Sequence, residues 1–165
     1  MSKTRVALVA LVILPLTAPL GAAVVGKDAA ACNSGQPSIQ VRVAGFKRAA
    51  GTVKVAVYGD DRSRYLAKGG KLRKVIVPVH SSGPIDVCIA VPEPGRYAIA
   101  VHHDLNGNGS KDSSDGAGYS GNPRLSLVNL KPSFGKTAID VSSMPRRVSV
   151  LLQYRKGLSV GPVSS

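Results

Sequence analysis

The chain has 165 residues and carries 22 Lys and Arg against 9 Asp and Glu, a formal net charge of +13. Hydrophobic residues make up 44% of the chain, but aromatic residues only 4%, and Trp is absent. This length suits a single domain with a sizeable core. The composition excludes a core built on aromatic rings, so we expect one made of Val, Ile, Leu and Ala.

The N-terminus has the three-part layout of a secretory signal peptide. Lys3 and Arg5 supply the positive charge, an unbroken apolar run covers Val6 to Leu14, and small residues end the segment at Ala23. We therefore expect a signal-peptide helix over residues 1–23 that is cleaved near Ala23. The mature protein is then periplasmic or secreted and keeps no stable membrane span.

Two alternatives to cleavage stay open. The apolar stretch is long enough to act as an uncleaved membrane anchor. Cys32 is a second point of attachment if it is lipidated, although Ala29 stands where such a site usually has Leu.

The mature chain is strongly basic. Removal of the signal peptide leaves 20 basic and 9 acidic residues, a net charge of +11. A field of this sign favours polyanions. For an exported protein these are anionic envelope polymers or lipids rather than nucleic acid, and another envelope protein is a further candidate partner. The alternative is that dispersed charge only keeps the protein soluble.

The two cysteines predict one disulfide. An even count in an oxidising compartment favours pairing of Cys32 with Cys88. The bond would tie the N-terminal segment to a central strand and stabilise the fold by about 4 kcal/mol in the chain-entropy treatment. No Cys-x-x-Cys motif is present, which leaves redox catalysis without support.

Period-two alternation of apolar residues predicts an all-β fold. Valine-rich strands are expected over residues 39–43, 53–57, 72–79, 87–91, 97–102, 139–141 and 148–154. Turn residues separate these strands, so we predict a single Ig-like or transthyretin-like β-sandwich of about 7–8 strands. The predicted domain covers residues 38–157, between a flexible segment (24–37) and a C-terminal tail (158–165).

One long irregular stretch, Asp104 to Arg124, carries the spacing of a calcium loop. Oxygen-bearing groups fall at loop positions 1, 3, 5, 7, 9 and 12, and a glycine falls at position 6. The predicted ligands are Asp104, Asn106, Asn108, the carbonyl of Ser110, Asp112 and Asp115. Only three of these side chains are charged, which predicts weak binding, and the alternative is a solvated Asn-Gly turn without metal.

His102 and His103 are adjacent on a predicted strand and so point to opposite faces. A hydrolase using His103 and Asp104 is a minor alternative, because a general base needs a nucleophile or a metal within reach. The sequence contains no nucleophile elbow of the Gly-x-Ser-x-Gly type.

Several segments together resemble the bacterial domain of unknown function 2141 family. They are Val43–Phe46, Gly51–Tyr58, the central segment Pro94–Gly109, Asn122–Pro123, Lys131–Phe134 and the last strand through Tyr154. The resemblance implies an exported β-sandwich similar to transthyretin-type or carboxypeptidase-regulatory modules. It implies no established activity, substrate or catalytic residue.

The sequence therefore favours a non-enzymatic binding or accessory module of the cell envelope, with calcium as the one candidate cofactor. This interpretation predicts a basic stripe on one sheet face and no deep pocket with perturbed titrating groups. A packing domain without any ligand is the main alternative.

Overall fold

The computed structural model describes residues 23–163. The described part is built almost entirely of strands. They are β1 (Ser38–Ala44), β2 (Thr52–Tyr58), β3 (Arg73–Pro78), β4 (Ile85–Ala90), β5 (Gly95–Asp104), β6 (Gly116–Tyr119), β7 (Ala138–Val141), β8 (Arg146–Leu151), β9 (Gln153–Lys156) and β10 (Ser159–Gly161). A short helix, α1 (Ala29–Asn33), precedes them, and a 3₁₀ turn covers Phe134–Lys136.

The strands form two sheets. The small sheet has the order β4-β1-β8, and β1 pairs with β8 in parallel. The large sheet has the order β10-β9-β6-β5-β2-β3. β5 is long enough to hold two partners on the same edge: its first half pairs with β7 and its second half with β6.

The core lies between the two sheets and consists mainly of β-branched side chains. Every second residue of β1, β2 and β5 contributes to it, as the alternation predicts. Its fully buried members include Ile39, Val41, Val43, Val53, Val55, Val57, Val87, Ile89, Ile99 and Leu152. The predicted all-β sandwich is therefore confirmed.

The strand count is higher than the seven or eight predicted. The run predicted as one strand over residues 148–154 is divided at Leu152, so that β8 joins the small sheet and β9 the large one. The N–H of Leu152 donates to the carbonyl of Ala44, 2.9 Å away, at the crossing point. β6 also lies inside the stretch predicted as one long loop, and β10 lies in the predicted tail.

The N-terminal segment packs against the small sheet. Val25 forms a parallel bridge with Val87 of β4, and the Cys32–Cys88 disulfide joins α1 to the same strand. The predicted disulfide is thus present. It lies on the face of β4 opposite the core, because residue 88 alternates with the inward-facing residues 87 and 89.

An ion pair adds a second link at this end of the sandwich. Both carboxylate oxygens of the buried Asp28 accept from the guanidinium of Arg73 on β3, at 2.6 and 2.8 Å. One of them also accepts from the N–H of Ala90 on β4. Residues 24–37, expected to be a flexible segment, therefore have defined partners on both sheets.

Across residues 23–163, no helix is long and apolar enough to cross a bilayer. The predicted signal peptide lies, except for its last residue, outside the described residues.

Candidate functional site

The predicted calcium loop follows β5 and is organised around the carboxylate of Asp104. This side chain is buried, and its two oxygens accept from the N–H groups of Gly107 and Gly109, each at 2.8 Å. Both glycines have positive φ, +73° and +80°, a region that glycine enters without steric cost. The Asn-Gly-Asn-Gly sequence therefore lets the chain turn tightly around one carboxylate.

Three of the other predicted ligands meet further along the loop. The side-chain amides of Asn106 and Asn108 both donate to Oδ2 of Asp112, at 2.8 and 2.9 Å. Ser110 is held through its N–H, which donates to the side-chain carbonyl of Asn108. These side chains are exposed or half-buried, so the cluster faces solvent.

Asp115, the last predicted ligand, is engaged elsewhere. Its carboxylate is 4% exposed and accepts from the N–H groups of Leu105 and Asp112, and Nε2 of His102 lies 2.9 Å from it. Burial raises the pKa of the Asp115 carboxyl, but these hydrogen bonds outweigh burial and the pKa falls below its usual 3.8. Asp115 thereby closes the loop onto β5.

Each of the three loop carboxylates thus has its own set of hydrogen-bond donors. Within the described part of the chain, no group of three or more His, Cys, Asp and Glu side chains is placed to hold a metal ion. The structure brings Asn106, Asn108 and Asp112 together but leaves Asp104 and Asp115 bound to backbone N–H groups. Calcium binding remains a prediction.

His103 and Asp104, the residues of the hydrolase alternative, are both buried. Nε2 of His103 lies 2.8 Å from the carbonyl of Ala50, and Nδ1 lies 2.7 Å from the hydroxyl of Tyr154. Because a carbonyl only accepts, Nε2 carries the proton and Nδ1 accepts from Tyr154. Both ring nitrogens of His103 are therefore engaged in buried hydrogen bonds, and neither is free to take a proton from a substrate.

His102 points the opposite way, onto the outer face of the large sheet. Its Nδ1 is buried and has no hydrogen-bond partner among residues 23–163. The outer face at this point forms the floor of a cleft of about 730 Å³. We refer to it as the basic cleft.

The floor of the basic cleft consists largely of small side chains. Ala56 on β2 lies opposite Ala100 on β5, which lies opposite Tyr119 on β6. In the next row Lys54 lies opposite His102, and His102 opposite Ala117. Three loops, over residues 59–72, 105–115 and 120–133, surround this floor, and the first and third of them supply apolar walls. The wall residues are Leu66, Leu125, Leu127 and Leu130.

Basic side chains from the sheet and all three loops surround the opening. They are Lys54, Lys68, Lys71, Lys111, Lys131 and Arg155. The pKa of the Lys111 amine is lowered from its usual 10.5, first by desolvation and then by the positive charges of Lys131, Lys71 and Lys54. A lowered lysine pKa of this origin marks a place where a bound anion would relieve charge repulsion.

The sequence predicted a basic face and no deep pocket with perturbed titrating groups. The cleft of about 730 Å³, lined by Lys111 with its lowered pKa, differs from the second expectation. The missed signal was the identity of the outward-facing residues. Solvent-facing strand positions are ordinarily polar, yet here Ala56, Ala100 and Ala117 occupy them. Loops that are distant in the sequence build the walls, so their convergence was not visible in any local pattern.

The fold is an all-β sandwich, and basic residues line a cleft on the outer face of its large sheet. Over residues 41–149 the chain matches the family described as "Uncharacterized protein conserved in bacteria (DUF2141)". The chain belongs to this family. No curated protein and no solved structure matches it.

Proposed function

We propose that this protein is an exported, non-enzymatic module of the cell envelope that binds an anionic envelope component in the basic cleft. The observation that carries the proposal is the convergence of lysines from separate loops on one concave surface. Such clustering raises the local concentration of anions. The predicted signal peptide supports export, and the disulfide is typical of an oxidising compartment.

Retention on immobilised heparin, used as a model polyanion, tests the proposal. The variant K111Q/K131Q removes two charges from the cleft. The matched variant R146Q/R147Q removes two charges from exposed positions of β8, in the small sheet. We expect the cleft variant to elute at clearly lower salt than the β8 variant. Equal elution of the two variants would show that total charge, and not the cleft, governs binding.

A second candidate function is calcium binding by the loop after β5. The observation in its favour is the meeting of Asn106, Asn108 and Asp112 side chains within 2.9 Å. The side-chain oxygens of Asn106 and Asn108 accept from the N–H groups of Asn108 and Ser110, at 3.2 and 2.8 Å. Calcium would have to displace these hydrogen bonds to draw both oxygens toward Asp112, which fits weak binding. Oxygen ligands are those that calcium prefers.

Thermal melting in the presence of about 10 mM CaCl₂ tests the calcium site, because weak extracellular sites have dissociation constants of roughly 0.1–1 mM. We expect calcium to raise the Tm of the protein and of D140N, whose Asp140 is 89% exposed and outside the loop. The variant D112N should show a much smaller rise. If calcium leaves the Tm of the unmodified protein unchanged, the loop is not a functional metal site.

A further inference from the structure

The basic cleft has an apolar floor, and binding of a polyanion does not require one. Ala56, Ala100 and Ala117 form its centre, and Leu127 and Leu130 on its wall remain 38% and 48% exposed. A fully polar polymer held by lysines would leave this surface unused, since apolar surface gains free energy only when apolar groups cover it.

The dimensions of the cleft suit a small molecule. Its volume of about 730 Å³ lies within the range of roughly 300–1,000 Å³ that is typical of small-molecule sites. The lining residues come from β2, β5, β6 and β9, which are successive neighbours in the large sheet. Three interstrand spacings of about 4.8 Å give a floor roughly 14 Å across. A medium-length alkyl chain fits along it.

The charges at the opening favour an anion. Two acidic side chains, Asp112 and Asp115, also line the cleft, but each is already engaged within its own loop. Asp112 accepts from two asparagine amides, and Asp115 accepts from backbone N–H groups and contacts His102. Both carboxylates keep their negative charge, but six basic side chains line the cleft against these two acidic ones, so the net charge of the lining is positive.

We propose that the basic cleft binds a single-chain amphiphile with an anionic head, such as a fatty-acid-like carboxylate. The tail lies on Ala100 and Ala117 of β5 and β6, and the head lies among Lys54, Lys111 and Lys131. This inference rests on the proposed function, because it names the class of anion that the cleft binds.

Calorimetric titration of the purified protein with three probes tests the inference. Decanoate has the tail and the charge, acetate has the charge alone, and decyl maltoside has the tail alone. Decanoate and decyl maltoside are used below their micelle concentrations. We expect decanoate to bind one-to-one and at least ten-fold more tightly than either of the other two. If acetate or decyl maltoside binds as tightly as decanoate, the inference is wrong.

Two variants separate this inference from the proposed function. In Ala117→Leu a larger side chain occupies the floor, so decanoate should bind at least ten-fold more weakly, whereas retention on heparin should fall less than in K111Q/K131Q. R146Q/R147Q, outside the cleft, should bind decanoate as tightly as the unmodified protein. Ala100→Leu repeats the measurement on β5 if the first variant does not fold. K111Q/K131Q should weaken both decanoate binding and heparin retention.

The outcomes are distinguishable. Unchanged decanoate affinity in a folded floor variant would overturn the amphiphile but leave the anion site intact. Binding to anionic phospholipid vesicles without binding of free decanoate would overturn it in favour of a membrane surface. If neither ligand depends on Lys111 and Lys131, the proposed function fails as well.

Discussion

His103 is a structural residue whose neutral form the fold requires. Its Nε2–H donates to the carbonyl of Ala50, and its Nδ1 accepts from the hydroxyl of Tyr154. That hydroxyl in turn accepts from the N–H of Lys47 at 3.1 Å. Burial raises the pKa of Tyr154 to about 12, so the phenol keeps its proton and remains a donor. A second proton on the imidazole would have to displace the Tyr154 donor.

The neutrality of His103 predicts loss of stability in mild acid. Burial lowers the pKa of His103 below its ordinary value of 6.5. The unfolded chain titrates near 6.5, so below that pH it binds a proton that the folded chain does not. The free energy of unfolding should therefore fall as the pH drops below 6.5, over the interval in which the unfolded chain is protonated at this residue and the folded chain is not, and Tm measured by circular dichroism should fall with it.

Substitution of single histidines isolates this effect. His103→Gln should lower the free energy of unfolding by about 2 kcal/mol through imperfectly satisfied hydrogen bonds and should flatten the dependence on pH over this interval. His80→Gln, at an exposed position, should keep both the stability and the pH dependence. A pH profile of His103→Gln as steep as that of the unmodified protein would assign the effect to another group.

Strand β6 is formed by a sequence that does not look like a strand. Its inward positions are Gly116 and Gly118, because the space that a side chain would need is taken by other residues. A Cβ on Gly118 would lie 2.6 Å from Val150 and 2.9 Å from the carbonyl oxygen of Leu151. A Cβ on Gly116 would lie 2.5 Å from the ring of Tyr154. The glycines therefore allow β6 to approach the core closely.

We expect Gly118→Val to lower the free energy of unfolding by about 2 kcal/mol through overpacking, as measured by urea unfolding. Ala117→Val is the matched control, since the adjacent residue faces the basic cleft and has space for the same side chain. It should change stability by less than half as much. Equal effects of the two substitutions would contradict the assigned orientation of β6.

The regular strands were predictable from the sequence, but the glycine-containing strand β6 and the break between β8 and β9 were not. Alternating valines located β1, β2, β4 and β5 because one face of each strand is buried. β6 was missed because glycines replace its inward apolar residues. The β8–β9 break was missed because period-two alternation runs through Leu152 unchanged while the chain crosses between sheets. The basic cleft was missed because it is formed by loops that are distant in the sequence. The residues that meet at Asp112 lie close together in the sequence, so a single motif was enough to predict them as one group.

The Cys32–Cys88 link should matter more for stability than the small size of α1 suggests. The bond closes a segment with a sequence separation of 56 residues. Replacement by Cys32→Ser with Cys88→Ala should lower the free energy of unfolding by about 4 kcal/mol in urea titrations. Reduction with dithiothreitol should lower the free energy of unfolding of the unmodified protein by a similar amount and leave that of the double variant unchanged. A double variant as stable as the oxidised protein would contradict this role.

At the scale of the whole molecule, the excess of positive charge opposes folding. Like charges repel one another more strongly in the compact state, and salt screens this repulsion. We expect Tm, measured by scanning calorimetry, to rise as NaCl increases from about 10 mM to about 150 mM, where the Debye length falls from roughly 30 to 8 Å. R146Q/R147Q carries two fewer positive charges, so its Tm should rise less over the same range of NaCl. A Tm that is independent of salt would contradict the expectation.

The parallel pairing of β1 with β8 also constrains the order of assembly. Residues 39–44 align with residues 146–151, so the paired residues are 107 positions apart in the sequence (146 − 39 = 107). A chain threaded N-terminus first through a narrow channel cannot complete its small sheet until residue 151 has emerged. Until then β1 has a free edge, and the closing step has the slow kinetics of long-range contacts. The sandwich of this chain therefore closes only after its last inward-facing strand in the small sheet has become available, whatever the order in which the large sheet forms.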